Sequence, residues 1–209
     1  MSKTYLCDFA YETIKERIIR CQYAPNTYIT EERLGEELNI SRTPIRAALD
    51  ALSKEHILKI IPKKGIYITD ITPDQVRDVY EFRILIEPYA LRTYGNGFSK
   101  QELKSLLEQF KEDTADPWAL ALQDNYIHTQ IVNLCRNELL SSYYALMQSL
   151  DMRLRLYCSQ SNTRLSDSNQ EHINIITAML KDDYVTAERI LLDHLQTAKN
   201  SAYDALLRI

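Results

Sequence analysis

Four side chains in the second half of the chain carry the chemistry of a metal site. Asp124 and His128 are four residues apart, so on a helix both project from one face. His172 and His194 fall in two further segments of helical spacing, and three imidazole nitrogens with one carboxylate oxygen make a donor set suited to Zn2+, Ni2+ or Mn2+. An Asp-x-x-x-His pair is by itself common on helices, and spacing alone does not bring three helices together. A second set lies near the N-terminus: Arg42, Thr43 and Arg46, followed by Lys63, Lys64 and Gly65. Long donors at a helix N-terminus reach base edges and phosphates, and Arg can pair bidentately with guanine. Exposed Arg and Lys are individually ordinary; their order along the chain is what singles these out.

The elements that must position these residues follow from apolar spacing and caps. Ile14, Ile18 and Ile19 have helical spacing, in a segment ended by Pro25-Asn26. Thr30 can cap a short helix bearing Leu34 and Leu38, with Glu31 and Glu32 at its positive end. After the turn Asn39-Ile40-Ser41, Ser41 can cap a second helix to about Glu55, with Pro44 in its first turn and Ile45, Ala48, Leu49 and Leu52 on one face. Ile57–Ile61 and Ile66–Thr69 then read as two strands joined by the basic turn Pro62-Lys63-Lys64-Gly65. This is a winged helix-turn-helix with a small β-hairpin wing.

Beyond Thr72-Pro73 only helices are expected, at about 74–94, 99–113, 117–135, 137–158, 168–181 and 183–207, with 159–169 a loop rich in Ser, Asn and Thr. The fold class is therefore mainly α, with residues 1–70 the winged helix-turn-helix, 71–74 a linker and 75–209 an all-α antiparallel bundle.

Composition adds limits. The 209 residues carry a net charge of −4, which advertises no nucleic-acid partner. Yet residues 41–64 hold six basic side chains against Asp50 and Glu55, a local excess of +4. Four scattered cysteines without a C-x-x-C pair point to reduced thiols and a cytoplasmic setting. No apolar run approaches the roughly 18 to 20 residues that span a bilayer.

The run Leu34-Gly35-Glu36-Glu37-Leu38-Asn39-Ile40-Ser41-Arg42-Thr43-Pro44-Ile45-Arg46, followed by Pro62-Lys63-Lys64-Gly65, closely resembles the DNA-binding domain of the GntR family of bacterial transcription regulators. The resemblance implies that Arg42, Thr43 and Arg46 contact an operator, with the wing in or beside the minor groove. Many members carry Arg two residues before the Leu34 position, where this chain has Glu32 and only then Arg33. Residues 73–209 resemble the FCD effector domain of the FadR-type branch: Val79-Tyr80-Glu81-Phe82-Arg83 through Glu87-Pro88, Asp124-Asn125-Tyr126-Ile127-His128, Glu171-His172 and Asp193-His194-Leu195 carry the match. In metal-containing members an Asp and three His at these motif positions hold one ion. The resemblance thus implies that Asp124, His128, His172 and His194 bind one divalent metal per chain, Zn2+ first, with Ni2+ or Mn2+ as alternatives.

Four protein ligands leave room for one or two exogenous groups if the ion is five- or six-coordinate, so a small carboxylate effector is expected, with Arg83, Arg153, Arg155 and Tyr126 as candidate contacts. Arg153 and Arg155 point in opposing helical directions, so at most one is expected to face inward. His56 follows the recognition helix and is assigned a structural role. The reading is a homodimeric, ligand-responsive regulator, a repressor of an operator on double-stranded DNA, and not an enzyme. The rival readings are a metal-dependent hydrolase and a regulator whose metal is purely structural.

Overall fold

The computed structural model describes residues 3–112, 116–159 and 164–207, which divide into two units, Met1–Ile71 and Thr72–Ile209. In the first unit, helix α1 (Lys3–Ile19) is followed by strand β1 (Thr27–Ile29), helices α2 (Glu31–Leu38) and α3 (Arg42–Lys54), and strands β2 (Leu58–Ile61) and β3 (Gly65–Ile68). Ala10, Ile14 and Ile18 of α1 meet the apolar face of α3, where Ile45, Leu49 and Leu52 are buried; Leu34 and Leu38 of α2 are buried as well. Each fully buried Leu or Ile here is worth about 1.5–3 kcal/mol of transfer free energy. Helix α1 ends at Ile19, with Cys21 in the left-handed region, and so stops before the Pro25-Asn26 signal is reached.

The caps follow the sequence in part. Thr30 accepts the Arg33 N–H at 3.1 Å, whereas Ser41 occupies the N-cap position of α3 without making a side-chain capping bond.

The wing is a three-stranded sheet rather than a lone hairpin. β3 is central, with β1 and β2 antiparallel on either side and Ile66 opposite both Ile29 and Ile60. β1 has only three residues, too few to show alternation. It also explains Gly65, whose φ is +106° and where a Cβ would stand 2.8 Å from the Ile29 carbonyl oxygen. The glycine is thus required by the protein's own turn.

The second unit is helical: α4 (Pro73–Tyr94), a 3-10 turn (Gly95–Gly97), α5 (Lys100–Lys111), α6 (Pro117–Asn133), α7 (Glu138–Ser159), α8 (Arg164–Leu180) and α9 (Tyr184–Leu206). Thr72 caps α4 and Pro73 and Asp74 are already helical, which shortens the linker expected at 71–74; Ile71 is buried in the first unit. Asp116 caps α6 ahead of Pro117. Short connections make α6 with α7, and α8 with α9, packed antiparallel pairs. Leu91, Leu106, Phe110, Ile131, Ile176 and Leu191 form one apolar core with its neighbours.

The loop expected at 159–169 is corrected: α8 starts at Arg164, and residues 160–163 lie outside the described residues. Asp167 in the first turn favours the helix, and Ser168 is buried, so tertiary context overrides the weak propensity of a Ser- and Asn-rich stretch.

Gly65→Ala is expected to destabilise the first unit by at least about 1 kcal/mol, since Ala disfavours a positive φ and its methyl would meet the Ile29 carbonyl. Urea denaturation of the full chain, followed by circular dichroism, measures it.

Candidate metal centre and nucleic-acid interface

Helix α6 supplies Asp124 and His128, α8 supplies His172 and α9 supplies His194, and all four are buried. One ligand atom from each lies within 4.8 Å of all the others. His172 Nε2 is 3.1 Å from His128 Nε2, and Asp124 Oδ1 is 3.3 Å from His128 Nε2 and 3.4 Å from His172 Nε2. Tetrahedral Zn2+ with bonds near 2.0–2.1 Å places neighbouring donors about 3.3 Å apart.

The outer nitrogens are held by the protein. His128 Nδ1 donates to Glu87 Oε2 at 2.6 Å, and His194 Nδ1 to Glu171 Oε2 at 2.6 Å; Ser168 Oγ is 3.5 Å from His172 Nδ1. A proton held on Nδ1 by a carboxylate leaves the Nε2 lone pair free to ligate. Asp124 Oδ1 is buried and takes part in no hydrogen bond among the described residues. A buried carboxylate oxygen facing two imidazole nitrogens away from water, with no hydrogen bond of its own, is costly without a cation among them, so the donor set fits a divalent ion. Burial, followed by the neighbouring His194 and His128, pushes His172 well below the usual imidazole range. Burial also lowers His128, against the pull of Glu87. Both are therefore neutral, the form that binds metal.

Around this cluster lies a set of buried ion pairs. Arg83 Nε donates to Glu87 Oε1 at 2.7 Å, and its Nη1 to Asp151 Oδ1 at 3.0 Å. Tyr144 donates its hydroxyl to Glu87 Oε1 at 2.7 Å. Arg155 pairs with both Asp124 and Asp151. Burial raises the Glu87 carboxyl, but Arg83 and His128 outweigh it and hold it well below the usual carboxylate range. At Asp151 burial prevails over Arg83, and the carboxyl is raised.

Of the candidate effector contacts, Arg83, Arg153 and Arg155 all turn inward. The expectation that only one of Arg153 and Arg155 would do so is overturned because Asp151–Leu154, Leu156 and Cys158 are buried, and α7 packs against α4, α6, α8 and α9. Arg83 Nη2 has no hydrogen-bond partner among the described residues. Tyr126 is not brought to the cluster: two residues from His128 on the same helix, it is 51% exposed and lines a depression with Phe98, Glu102 and Gln130.

Sequence reasoning assigned no role to Glu87, Asp151 or Glu171. A signal existed for Glu87, because Arg83 and Glu87 sit four apart within the stripe Val76, Val79, Tyr80, Ala90, Leu91 that α4 buries. Charges on an apolar stripe require partners.

At the first unit's basic face, Arg42, Thr43 and Arg46 are exposed on the first turns of α3, and Lys63 and Lys64 are exposed at the hairpin tip beside Gly65. The arginines are not free: Arg46 Nε pairs with Glu31 at 2.8 Å, and Arg42 lies 3.8 Å from Glu32. Arg33, displaced from the family's arginine position, pairs with Glu37 on its own helix at 2.7 Å. His56 is exposed, with a φ of 62°, and its carbonyl accepts the Thr69 hydroxyl at 3.0 Å.

Comparison with known proteins places this geometry. Residues 6–68 match the family described as bacterial regulatory proteins, gntR family, and residues 78–197 match the FCD domain. The Nta operon transcriptional regulator of Aminobacter aminovorans is 28% identical over 193 residues, covering 90% of this chain and 88% of that protein. The gluconate operon transcriptional repressor of Bacillus licheniformis is 25% identical over 182 residues, covering 81% and 74%. The crystal structure of a putative transcriptional regulator GntR from Rhodococcus sp. RHA1 shares the fold with a TM-score of 0.79 at 15% identity, covering 95% of this chain and 97% of that one.

Tyr144→Phe removes one hydrogen bond to the buried Glu87 carboxylate without changing shape, and is expected to cost about 1.5–3 kcal/mol of stability. Denaturation of variant and wild type in parallel checks it; a loss below a few tenths would contradict this arrangement.

Proposed function

The chain belongs to the gntR family of bacterial regulatory proteins and carries an FCD domain; from that membership we propose a repressor whose operator affinity is set by a small organic acid bound beside a divalent metal. Members of this family bind operator DNA and FCD domains bind small-molecule effectors, so the chain is a transcription regulator and not a hydrolase.

The observation that carries the finer reading is the cluster of Asp124, His128, His172 and His194, with its unpartnered Asp124 oxygen and inward imidazole nitrogens. These four residues would hold the ion, Zn2+ first and Ni2+ or Mn2+ as alternatives. A bound ion supplies a Lewis-acid position that an effector carboxylate can enter. The chain's own groups do the rest: Glu87 and Glu171 keep the Nδ1 protons of His128 and His194, and Arg83 Nη2 offers a buried donor to an acid. The name of the relative that concerns the gluconate operon supports an acid as the effector class.

In the DNA-binding domain, Arg42, Thr43 and Arg46 would enter the major groove while Lys63, Lys64 and Gly65 follow the neighbouring groove. Surface ion pairs of the Arg46–Glu31 kind are worth about 0–1 kcal/mol, so phosphates and guanines displace them readily. Two such domains in a homodimer would read the halves of a near-palindromic operator. Support for pairing comes from Leu85 and Tyr89 on α4, and Leu139, Tyr143 and Leu146 on α7, apolar residues left exposed at helical spacing in one chain. Among the described residues no helix is long and apolar enough to cross a membrane, and a cytoplasmic site of action fits a DNA-binding regulator.

Two outcomes are expected. Arg46→Ala weakens operator binding by about 1–3 kcal/mol in fluorescence anisotropy, and equal affinity across salt concentrations would refute a base-reading role. Zn2+ added to chelator-stripped protein raises its thermal stability, by about 2.7 kcal/mol at a hundred times its dissociation constant. His172→Ala abolishes that gain if the cluster is the site.

A further inference from the structure

The buried ion pairs of the helical unit close on themselves. Arg155 holds Asp124 Oδ2 and, from the same guanidinium, Asp151 Oδ2. Asp151 Oδ1 accepts from Arg83 at 3.0 Å, Arg83 donates to Glu87 Oε1 at 2.7 Å, and Glu87 Oε2 accepts from His128 Nδ1 at 2.6 Å. His128 Nε2 then returns to within 3.3 Å of Asp124 Oδ1. Three helices, α4, α6 and α7, contribute to this circuit, and in it each carboxylate turns its two oxygens toward different groups.

At Asp124 that division has a chemical consequence. Oδ2 is taken by a guanidinium, while Oδ1 faces the imidazole nitrogens of His128 and His172 and takes part in no hydrogen bond among the described residues. We propose that Arg155 is a positioning residue for the metal centre: by holding Asp124 Oδ2 it confines that carboxylate to one-oxygen ligation and so keeps a coordination position for an exogenous ligand. This rests on the metal reading given above.

A carboxylate with both oxygens free can swing to ligate with the pair, filling the position an effector needs. Arginine suits the task because its planar guanidinium lies against two carboxylates at once, pairing with Asp124 through Nη1 and donating to Asp151 through Nη2. Lysine, a point charge on a flexible stem, does not fix both. Arg155 is also anchored at its far side, since Asp151 is itself held by Arg83. The alternative role, a fork that touches only the effector, would leave the ion's own binding indifferent to Arg155.

The test uses the full chain loaded with Co2+, whose visible bands weaken as coordination number rises, with acetate as the exogenous ligand. Wild type, Arg155→Met and Arg155→Lys are compared, with folding checked by thermal melting. Arg155→Met is expected to lower Co2+ affinity by about 10–100-fold, the usual effect of removing a group that orients a ligand. Its bands should weaken, and acetate should no longer perturb them as it does in wild type. Arg155→Lys, which keeps the buried charge, should fall between the two and decides the matter if the Met variant does not fold. A folded variant with wild-type Co2+ affinity and spectrum, losing only its response to acetate, overturns the proposal and leaves the metal reading standing. Wild type that shows neither Co2+ bands nor a Zn2+-induced thermal shift overturns both.

Discussion

Placing Arg83 in the interior of the helical unit constrains much of what surrounds it. A guanidinium cannot be buried alone, and it is held here by Glu87 one turn along α4 and by Asp151 from α7. Those carboxylates then have one oxygen each to spare. Glu87 uses its second on His128, and Asp151 uses its second on Arg155, which continues to Asp124. Two of the four proposed metal ligands are therefore oriented by the same network that allows Arg83 to be inside. Removing one member of such a network costs about 3–5 kcal/mol, because it strands a buried charge.

This dependence separates what could be read from the sequence and what could not. Helices with a one-sided apolar stripe and a cap, such as α2 with Thr30 and α6 with Asp116, are local, and local rules place them. The pair Asp124 and His128 is local in the same sense. Glu87, 41 residues before His128, is not: its role follows from a contact that no spacing rule reaches. The inward turn of both Arg153 and Arg155 is likewise a tertiary fact, since helical angles predict opposite directions and only helices packed around α7 bury both. β1 carries no signal of its own, because three residues show no periodicity and owe their extended form to pairing with β3. The helical start at Arg164 ran against propensity for a related reason.

The DNA-binding unit shows the opposite use of charge. The ion pairs of Arg42 and Arg46 lie at the surface, where water screens them, and they are cheap to exchange. Glu31 and Glu32 on α2 neutralise Arg46 and Arg42 in the free protein. The +4 excess across residues 41–64 is thereby partly masked by acids that sit just before it in sequence and beside it in space. Non-specific affinity for phosphate grows with the number of uncompensated cations. Acidic neighbours that release arginines only to a well-placed partner favour discrimination over raw affinity.

Charge in the helical interior bears on the effector. Three guanidinium groups, Arg83, Arg153 and Arg155, and three carboxylates, Glu87, Asp124 and Asp151, are buried or nearly so among the described residues of that unit. Burial disfavours a charge on His128 and on His172, so the guanidinium groups and the carboxylates are equal in number without them. On the proposed reading a divalent metal adds two positive charges to a setting of low dielectric, where uncompensated charge is expensive. A carboxylate bound beside the ion removes part of that excess, and a neutral ligand of equal size does not. On that reading a preference for an acid would follow from charge balance as well as from the donor that Arg83 Nη2 leaves open.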